Sequence, residues 1–230
     1  MAQEFYEDED KAREPGPRVE PGKWLPLLKD AYTVISRLAR RFGVGVVIAG
    51  AGAYSLHVEA DPTKDVDFVL TKPLPPGDLA MMLQELESVL KTRGWRVLGG
   101  RLQHGRVPED WVVQVFVAVD HGKVVGIEVF NLLAVRPLSF YEVTEVTYKG
   151  VKVKVITLES WVASKLADPN GIDKLNVERL ERAVEKEINE AKLLDILRRL
   201  GMREVIPVNA RSVLRRTRSE RLKRLLQMLV

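Results

Sequence analysis

Cysteine is absent from the 230 residues of this chain, which excludes disulfides, thiolate metal ligands and cysteine nucleophiles. Histidine is nearly as scarce, because only His57, His104 and His121 offer ring nitrogens and they lie far apart in the sequence. Zinc chemistry is therefore not expected. A metal ion in this protein would be held by oxygen ligands, which favours magnesium or manganese.

Long apolar runs are also missing, and none approaches the roughly 20 residues that a membrane-spanning helix needs. The N-terminal residues are acidic where a signal peptide would carry basic residues before an apolar stretch. We therefore expect a cytoplasmic protein with no membrane partner. Asparagine and glutamine are few, whereas lysine, arginine and glutamate are abundant, and this balance is typical of a thermophilic source.

The remaining composition is that of a folded protein, with 46% hydrophobic and 30% charged residues. The net charge of +4 is unevenly distributed. Residues 1–22 are acidic and contain several prolines and glycines, which predicts a flexible tail. Residues 211–224 instead contain seven basic side chains against the single acid Glu220, which favours a polyanionic partner such as RNA.

Hydrophobic periodicity divides the rest of the chain into two regions. Strands are predicted at 46–48, 65–70, 96–98, 112–119, 124–130 and in a hairpin over 142–156. Helices are predicted over 24–42, 77–93, 158–166, 175–200 and 212–229, with a short one after residue 50. We therefore predict an α+β fold, in which a mixed β-sheet domain at 23–156 precedes a helical region at 157–230 that ends in a basic helix.

Small residues follow the first predicted strand, where Gly50, Ala51 and Gly52 lead directly into a helix. Such a turn lets phosphate oxygens approach backbone N–H groups at the helix N-terminus. Tight packing between a strand and a helix explains the same pattern without any ligand. The turn alone is a weak signal.

Acidic residues on two predicted strands strengthen the case for a site. Asp65 and Asp67 are two residues apart on a strand, so both point to one face, where a divalent cation would relieve their repulsion. Glu128 interrupts an otherwise apolar strand and would complete the cluster, as metal ligand or as general base, if that strand pairs beside the first. The plainer alternatives are a polar face of an edge strand and an exposed strand-end glutamate.

In this order the motifs resemble the DNA polymerase β-type nucleotidyltransferase superfamily, and within it the AbiEii-like branch. The segments that carry the resemblance are Gly50 through His57, Thr63-Lys64-Asp65-Val66-Asp67, and Val155 through the helix that bears Lys165. The resemblance implies a nucleotidyltransferase fold, bound magnesium or manganese, and a nucleoside triphosphate held by Gly50, Ala51, Gly52 and Lys165. Ala51 and Asp61 depart from the branch, which usually has glycine or serine and arginine at these positions.

The sequence thus predicts a metal-dependent nucleotidyltransferase that moves a nucleoside monophosphate to an acceptor hydroxyl of RNA or protein, with Asp65, Asp67 and Glu128 as catalytic and metal-binding residues. The alternative is an inactive protein of the same fold that binds nucleic acid or a protein partner. The AbiEii-like resemblance further implies a toxin that an antitoxin-like partner restrains. Candidate nucleic-acid contacts, which a solvated helix face would also explain, are Arg211, Arg215, Arg216 and Arg218, and we interpret His57 as a core residue at a helix end.

Overall fold

A computed structural model describes residues 17–105, 107, 110–120, 122–186 and 188–230. Within these ranges the α-helices are α1 (Pro21–Arg41), α2 (Gly50–His57), α3 (Pro76–Thr92), α4 (Leu158–Leu166), α5 (Lys174–Glu185), α6 (Glu190–Leu200), α7 (Val205–Leu214) and α8 (Glu220–Gln227). The strands are β1 (Val46–Ile48), β2 (Asp65–Leu70), β3 (Arg96–His104), β4 (Trp111–Asp120), β5 (Lys123–Phe130), β6 (Val143–Tyr148) and β7 (Val151–Ile156).

The strands form one mixed sheet in the order β3-β4-β5-β2-β1-β7-β6. Two pairs are parallel, namely β2 with β5 and β1 with β7, and the other neighbours are antiparallel. A helical region follows the last strand. The predicted α+β class, with a mixed sheet and a helical C-terminal region, is therefore confirmed.

The two faces of the sheet differ sharply in character. On one face the strands present fully buried side chains such as Phe68, Val115 and Ile127, and helices α1 and α3 pack against this layer. Each such side chain stabilises the fold by roughly 1.5–3 kcal/mol through its burial. The alternate residues of the same strands, among them Asp67 and Glu128, point to the opposite face.

The helical region is more broken than its apolar spacing predicts. The helix expected over 175–200 is two helices, because the Asn189 side chain accepts a hydrogen bond from the Lys192 N–H at 3.0 Å and starts α6. The expected C-terminal helix is likewise wrong as a single element. It ends at Leu214, and Ser219 caps α8 by accepting from the Leu222 N–H at 3.2 Å.

The structure also differs from the predicted tail over residues 17–22. Val19 is fully buried and exchanges two backbone hydrogen bonds with Thr63, of 2.7 and 3.0 Å, and α1 already begins at Pro21. The rest of that tail, residues 1–16, lies outside the described residues. Among the helices that are described, none combines the length and the apolar character needed to cross a membrane.

Candidate functional site

Four polar side chains cross the open face of the sheet in one row. Asp67 on β2 stands opposite Glu128 on β5 in parallel register, and Glu128 stands opposite Gln114 on β4. Gln114 in turn stands opposite Arg101 on β3. Register partners on adjacent strands are about 5 Å apart, so neighbouring side chains of the row touch. The condition on which the role of Glu128 depends, pairing of its strand beside the Asp65 strand, is met.

Gln114 links the carboxylate of Glu128 to the charge of Arg101. Its side-chain N–H donates to Glu128 Oε1, and its Oε1 accepts from Arg101 Nε at 2.6 Å. The guanidinium of Arg101 also lies 5.5 Å from the ring centroid of Phe116. Glu128 is therefore held in one orientation by a chain of hydrogen bonds. Gln114 interrupts an apolar strand as Glu128 does, and that shared pattern would have identified it from the sequence.

Asp65 lies on the same face as Asp67, two residues earlier in β2. Its carboxylate sits over Gly126, where a Cβ would come within 2.6 Å of Asp65 Oδ1. The glycine that precedes Glu128 by two residues thus leaves room for the first aspartate. The sequence pattern does not reveal this role, because the contact is made across strands.

Gly50 makes the closest approach in the site. Its φ of +48° lies in the left-handed region, and a Cβ there would come within 1.6 Å of Asp67 Oδ2. The Ala51 N–H at the start of α2 donates to the same carboxylate, and the Trp161 indole N–H donates to the Gly50 carbonyl at 2.9 Å. The turn is therefore fixed against Asp67 from one side and against α4 from the other.

Gly52 serves a different purpose from Gly50. A Cβ at this position would lie 2.8 Å from Ile48 Cγ2 and 3.2 Å from Leu28 Cδ1, both in the core. Its small size is therefore required by the packing of α2 against β1 and α1. The side of Gly52 that lacks a side chain faces apolar groups.

Lys165 projects from α4 toward the carboxylates. Thr157 caps this helix by accepting a hydrogen bond from the Ser160 N–H at 3.2 Å, as the sequence predicts. The ammonium of Lys165 lies 5.8 Å from the Trp161 ring centroid. Burial lowers the pKa of Lys165, while the nearby Asp67 and Asp168 carboxylates oppose that shift. The lysine is the positive counterpart of the acidic row.

Burial raises the pKa values of all three acids, and repulsion from neighbouring carboxylates raises those of Asp65 and Glu128 further. Burial, and then the charge of Asp67, raise the pKa of Asp65 to about 7. Burial, followed by the charges of Asp67 and Asp65, raises the pKa of Glu128 to about 8. Burial also raises the pKa of Asp67, against the attraction of Lys165. Three neighbouring carboxylates with raised pKa values form a site that gains stability from added positive charge.

A pocket of about 440 Å³ opens beside this row, a volume within the roughly 300–1,000 Å³ typical of ligand sites. Of the sequence-predicted residues, Gly50, Asp67, Glu128 and Lys165 line the pocket. Asp65, Ala51 and Gly52 are not among the described lining residues. Its remaining lining consists of Gln103, His104, Gly105, Asp110, Val112, Gln114, Phe130, Leu132, Leu133, Ala134, Val135, Ser164 and Asp168. The pocket therefore joins an acidic row, one lysine and an apolar wall.

The donor chemistry of the acidic row fits a hard divalent cation, because carboxylate oxygens are the ligands that magnesium and manganese prefer. With the side chains as they stand, the described ranges contain no group of three or more His, Asp or Glu side chains that could hold a metal ion. Binding would therefore require Asp65, Asp67 and Glu128 to turn toward a common point. A cation bound among them would relieve the repulsion that contributes to the raised pKa values of Asp65 and Glu128.

Asp61 belongs to an ion-pair cluster that the sequence did not reveal. Its carboxylate accepts from Arg179 Nε at 3.1 Å and from Arg182 Nη2 at 2.7 Å, and both arginines come from α5. Arg179 is only 6% exposed and also lies 5.4 Å from the Tyr54 ring centroid. Asp61, which stands where the AbiEii-like motif usually has arginine, is thus neutralised by two arginines within the fold. These ion pairs connect the segment before β2 to the helical region.

The remaining candidates lie away from the pocket. His57, at the end of α2, shares a hydrogen bond of 2.7 Å with the Ile156 carbonyl of β7, and it is not part of the lining. His121 lies outside the described residues. The exposed basic residues surround the end of α7 and the turn before α8, rather than one helix face, and they are Arg211, Arg215, Arg216 and Arg218. One of them, Arg216, donates to the Ile172 carbonyl at 2.6 Å.

No family model matches this chain, and no curated protein matches it. Solved structures with a similar arrangement include an antigenic nucleotidyltransferase-like protein from Paracoccidioides brasiliensis, which is 16% identical, with a TM-score of 0.47 over 86% of this chain and 95% of that one. The antibiotic-resistance factor ANT(2'')-Ia is 14% identical, with a TM-score of 0.45 over 78% and 93%. A chain of the GLD-2/RNP-8 complex is 14% identical, with a TM-score of 0.39 over 99% and 66%. Likenesses at this distance do not assign an activity.

Proposed function

We propose that this chain is a metal-dependent nucleotidyltransferase, which moves a nucleoside monophosphate from a triphosphate to an acceptor hydroxyl and releases pyrophosphate. The observation that carries the proposal is the juxtaposition of Asp67, Glu128, Gly50 and Lys165 around one pocket. Two acids, a helix N-terminal turn and a lysine are the groups that positioning and charge stabilisation of a phosphoryl group require.

The Gly50 turn and Lys165 would together bind the triphosphate. The Gly50 turn and Lys165 would hold phosphate oxygens, the first through backbone N–H groups at the start of α2 and the second through its ammonium. Lys165 would also stabilise the negative charge that builds up as the bond between the α-phosphorus and the bridging oxygen breaks. With these contacts, the leaving pyrophosphate would lie at the α4 side of the pocket.

Glu128 is the group best placed to take the acceptor proton. Burial and the charges of Asp67 and Asp65 raise the pKa of Glu128 and so make its carboxylate a stronger base, and Gln114 holds its orientation. The acceptor oxygen would form its bond to the α-phosphorus as its proton passes to the Glu128 carboxylate. Arg101 is hydrogen-bonded to Gln114, which in turn bonds Glu128, and it is a positioning residue.

Asp65, Asp67 and Glu128 would hold one or two magnesium or manganese ions. Such an ion, when bound, neutralises charge on the phosphate oxygens and lowers the barrier to in-line displacement. The chain's own part is to supply a hard, all-oxygen ligand set on rigid neighbouring strands. Relief of the repulsion among these acids favours occupancy.

The test is transfer of label from each of the four α-³²P-labelled nucleoside triphosphates, with manganese, to total cellular RNA and to protein. We expect label in one acceptor class together with release of pyrophosphate. The joint substitution of Asp65→Asn and Asp67→Asn should abolish both signals and leave the thermal unfolding midpoint unchanged or higher, because it removes two repelling carboxylates.

A matched control separates the site from general effects of charge. Glu145 is a strand glutamate on the exposed edge strand β6, half exposed and paired with Lys152 at 3.2 Å. Glu145→Gln should leave transfer unchanged, whereas Glu128→Gln should remove it. Transfer that survives in the double aspartate variant would refute the proposal. An inactive relative of these enzymes would bind neither manganese nor triphosphate in a titration.

The finer predictions rest on the sequence motifs alone. The AbiEii-like branch implies a toxin with an antitoxin-like partner, which is tested by toxicity on expression and its relief by a co-expressed neighbouring gene product. RNA contact by Arg211, Arg215, Arg216 and Arg218 predicts binding that weakens steeply with added salt. Neither test bears on whether nucleotidyl transfer occurs.

A further inference from the structure

A strained turn lines the pocket on the side of Lys165. Leu133 and Arg136 exchange two backbone hydrogen bonds, of 2.8 and 3.0 Å, around a two-residue loop. The loop residues Ala134 and Val135 have φ values of +44° and +60°. Asparagine and glycine are the residues that adopt this conformation readily, and for a β-branched valine it is a rare outlier. The two loop residues therefore disfavour the backbone conformation that the loop adopts.

Contacts from outside the loop hold the turn in place. The Tyr141 hydroxyl donates to the Leu133 carbonyl at 3.0 Å, and Arg136 Nε donates to the Leu200 carbonyl at the end of α6 at 3.2 Å. Tyr141 is itself buried. A strained conformation that the surrounding structure imposes from two directions is the kind of feature that recurs at ligand clamps.

The loop residues form part of the pocket wall. Ala134 and Val135 are partly buried lining residues, and within the described ranges no hydrogen bond reaches the N–H or carbonyl of either residue. Peptide groups in a pocket wall that have no protein partner are available to hydrogen-bond a ligand. Phe130, Leu132 and Leu133 provide apolar surface next to them.

The chemistry of this wall specifies its ligand. Backbone donors and acceptors spaced along one edge, beside apolar surface, complement a flat heteroaromatic group that carries its own donors and acceptors. The wall shares the pocket with Lys165 and Asp168 of the α4 end, where the triphosphate would lie. Burial raises the pKa of Tyr141, Arg136 opposes this shift, and the charge of Asp168 adds to it, so Tyr141 lies near that end of the pocket.

We infer that the Leu133–Arg136 turn is the nucleobase subsite, and that the peptide edges of Ala134 and Val135 discriminate among the four nucleoside triphosphates. The inference rests on the proposed function and adds to it the element that selects the base. Backbone recognition requires no particular side chain at these two positions. The hydrogen bonds from Tyr141 and Arg136 hold the turn from two sides, which fixes the edge that would discriminate.

The experiment measures the dissociation constants of ATP, GTP, CTP, UTP and inorganic tripolyphosphate by calorimetric titration in manganese. The wild type should bind one nucleotide at least about tenfold more tightly than the least favoured one. Val135→Gly, which removes the strain, and Tyr141→Phe, which removes the hydrogen bond to Leu133, should each reduce that range to about threefold or less. Tripolyphosphate affinity should change by less than about twofold in both variants, because the phosphate contacts are elsewhere.

The control is Val143→Gly, at an exposed valine of the edge strand β6, which should leave the range of affinities unchanged. If the wild type binds tripolyphosphate and all four nucleotides alike, or if both loop variants keep the full range, the subsite is elsewhere and the proposed function stands. If neither tripolyphosphate nor any nucleotide binds, the subsite and the proposed function are both overturned.

Discussion

Replacing Gly50 by alanine should destabilise the fold and displace the Asp67 carboxylate at the same time. A Cβ at this position would lie 1.6 Å from Asp67 Oδ2, less than half of an ordinary contact distance, on a backbone with a φ of +48°. The left-handed backbone conformation costs about 1–2 kcal/mol for a residue with a side chain. The forced overlap adds about 1–3 kcal/mol, because the neighbouring groups must move.

The expected loss of unfolding free energy is therefore about 2–5 kcal/mol, the sum of these two contributions. In a chain of this length it should lower the thermal midpoint by about 5–15 °C. The assay is thermal and urea unfolding followed by circular dichroism. Gly43→Ala is the matched control, since Gly43 has a φ of +70° and no atom lies within 4 Å of the place that its Cβ would take. It should lose only the backbone contribution, about 1–2 kcal/mol.

Two double variants isolate the overlap with Asp67. Combining Gly50→Ala with Asp67→Ala removes the overlapping carboxylate and leaves only the 2.9 Å approach to the Cβ of residue 67. Measured against Asp67→Ala alone, the loss of unfolding free energy should therefore fall toward that of Gly43→Ala. Combining Gly50→Ala with Asp67→Asn keeps the shape of the side chain at position 67 and removes only its charge. The loss of unfolding free energy caused by Gly50→Ala should therefore persist. If Gly50→Ala is no more destabilising than Gly43→Ala, or if Asp67→Ala restores nothing, the turn does not pack against the carboxylate and the reasoning is refuted.

Three further variants test other parts of the molecule. Arg179→Met leaves Asp61 buried with only its second arginine partner, and it should cost about 2–4 kcal/mol in urea unfolding; a loss below about 1 kcal/mol would contradict a buried ion pair. Glu181→Gln should cost about 1 kcal/mol at pH 7, because the carboxylate accepts hydrogen bonds from the turn before α8. Those hydrogen bonds lower the pKa of Glu181 against partial burial, so its stabilisation is complete above the unfolded pKa and is lost as pH falls through the folded one. Wild type and variant should therefore converge only as pH falls below the lowered folded pKa of Glu181, and a constant difference would count against this account. Lys165→Ala should weaken tripolyphosphate binding by about 10–100-fold in titration, and the exposed control Lys152→Ala should not.

Local patterns were enough to locate most of the sheet and the acids on it. The alternation of Asp65 and Asp67 with apolar residues implied a shared face, because side chains on a strand repeat every two residues. Glu128 and Thr157 were also recognisable, the first as an acid in an apolar strand and the second as a helix cap. Apolar spacing failed where a helix breaks, because the period continues through the turns at Asn189 and Ser219.

The sequence by itself determined the α+β class, the strands that carry the acids, and the small-residue turn before α2. Only the tertiary structure decided that Glu128 stands beside Asp67, that Gln114 holds it, and that Asp61 is neutralised by α5. Strand order and register are set by contacts between residues far apart in the chain, and no local period encodes them. The strained turn at Ala134 and Val135 shows the same limit, since its conformation is imposed by distant partners against the preference of its own residues.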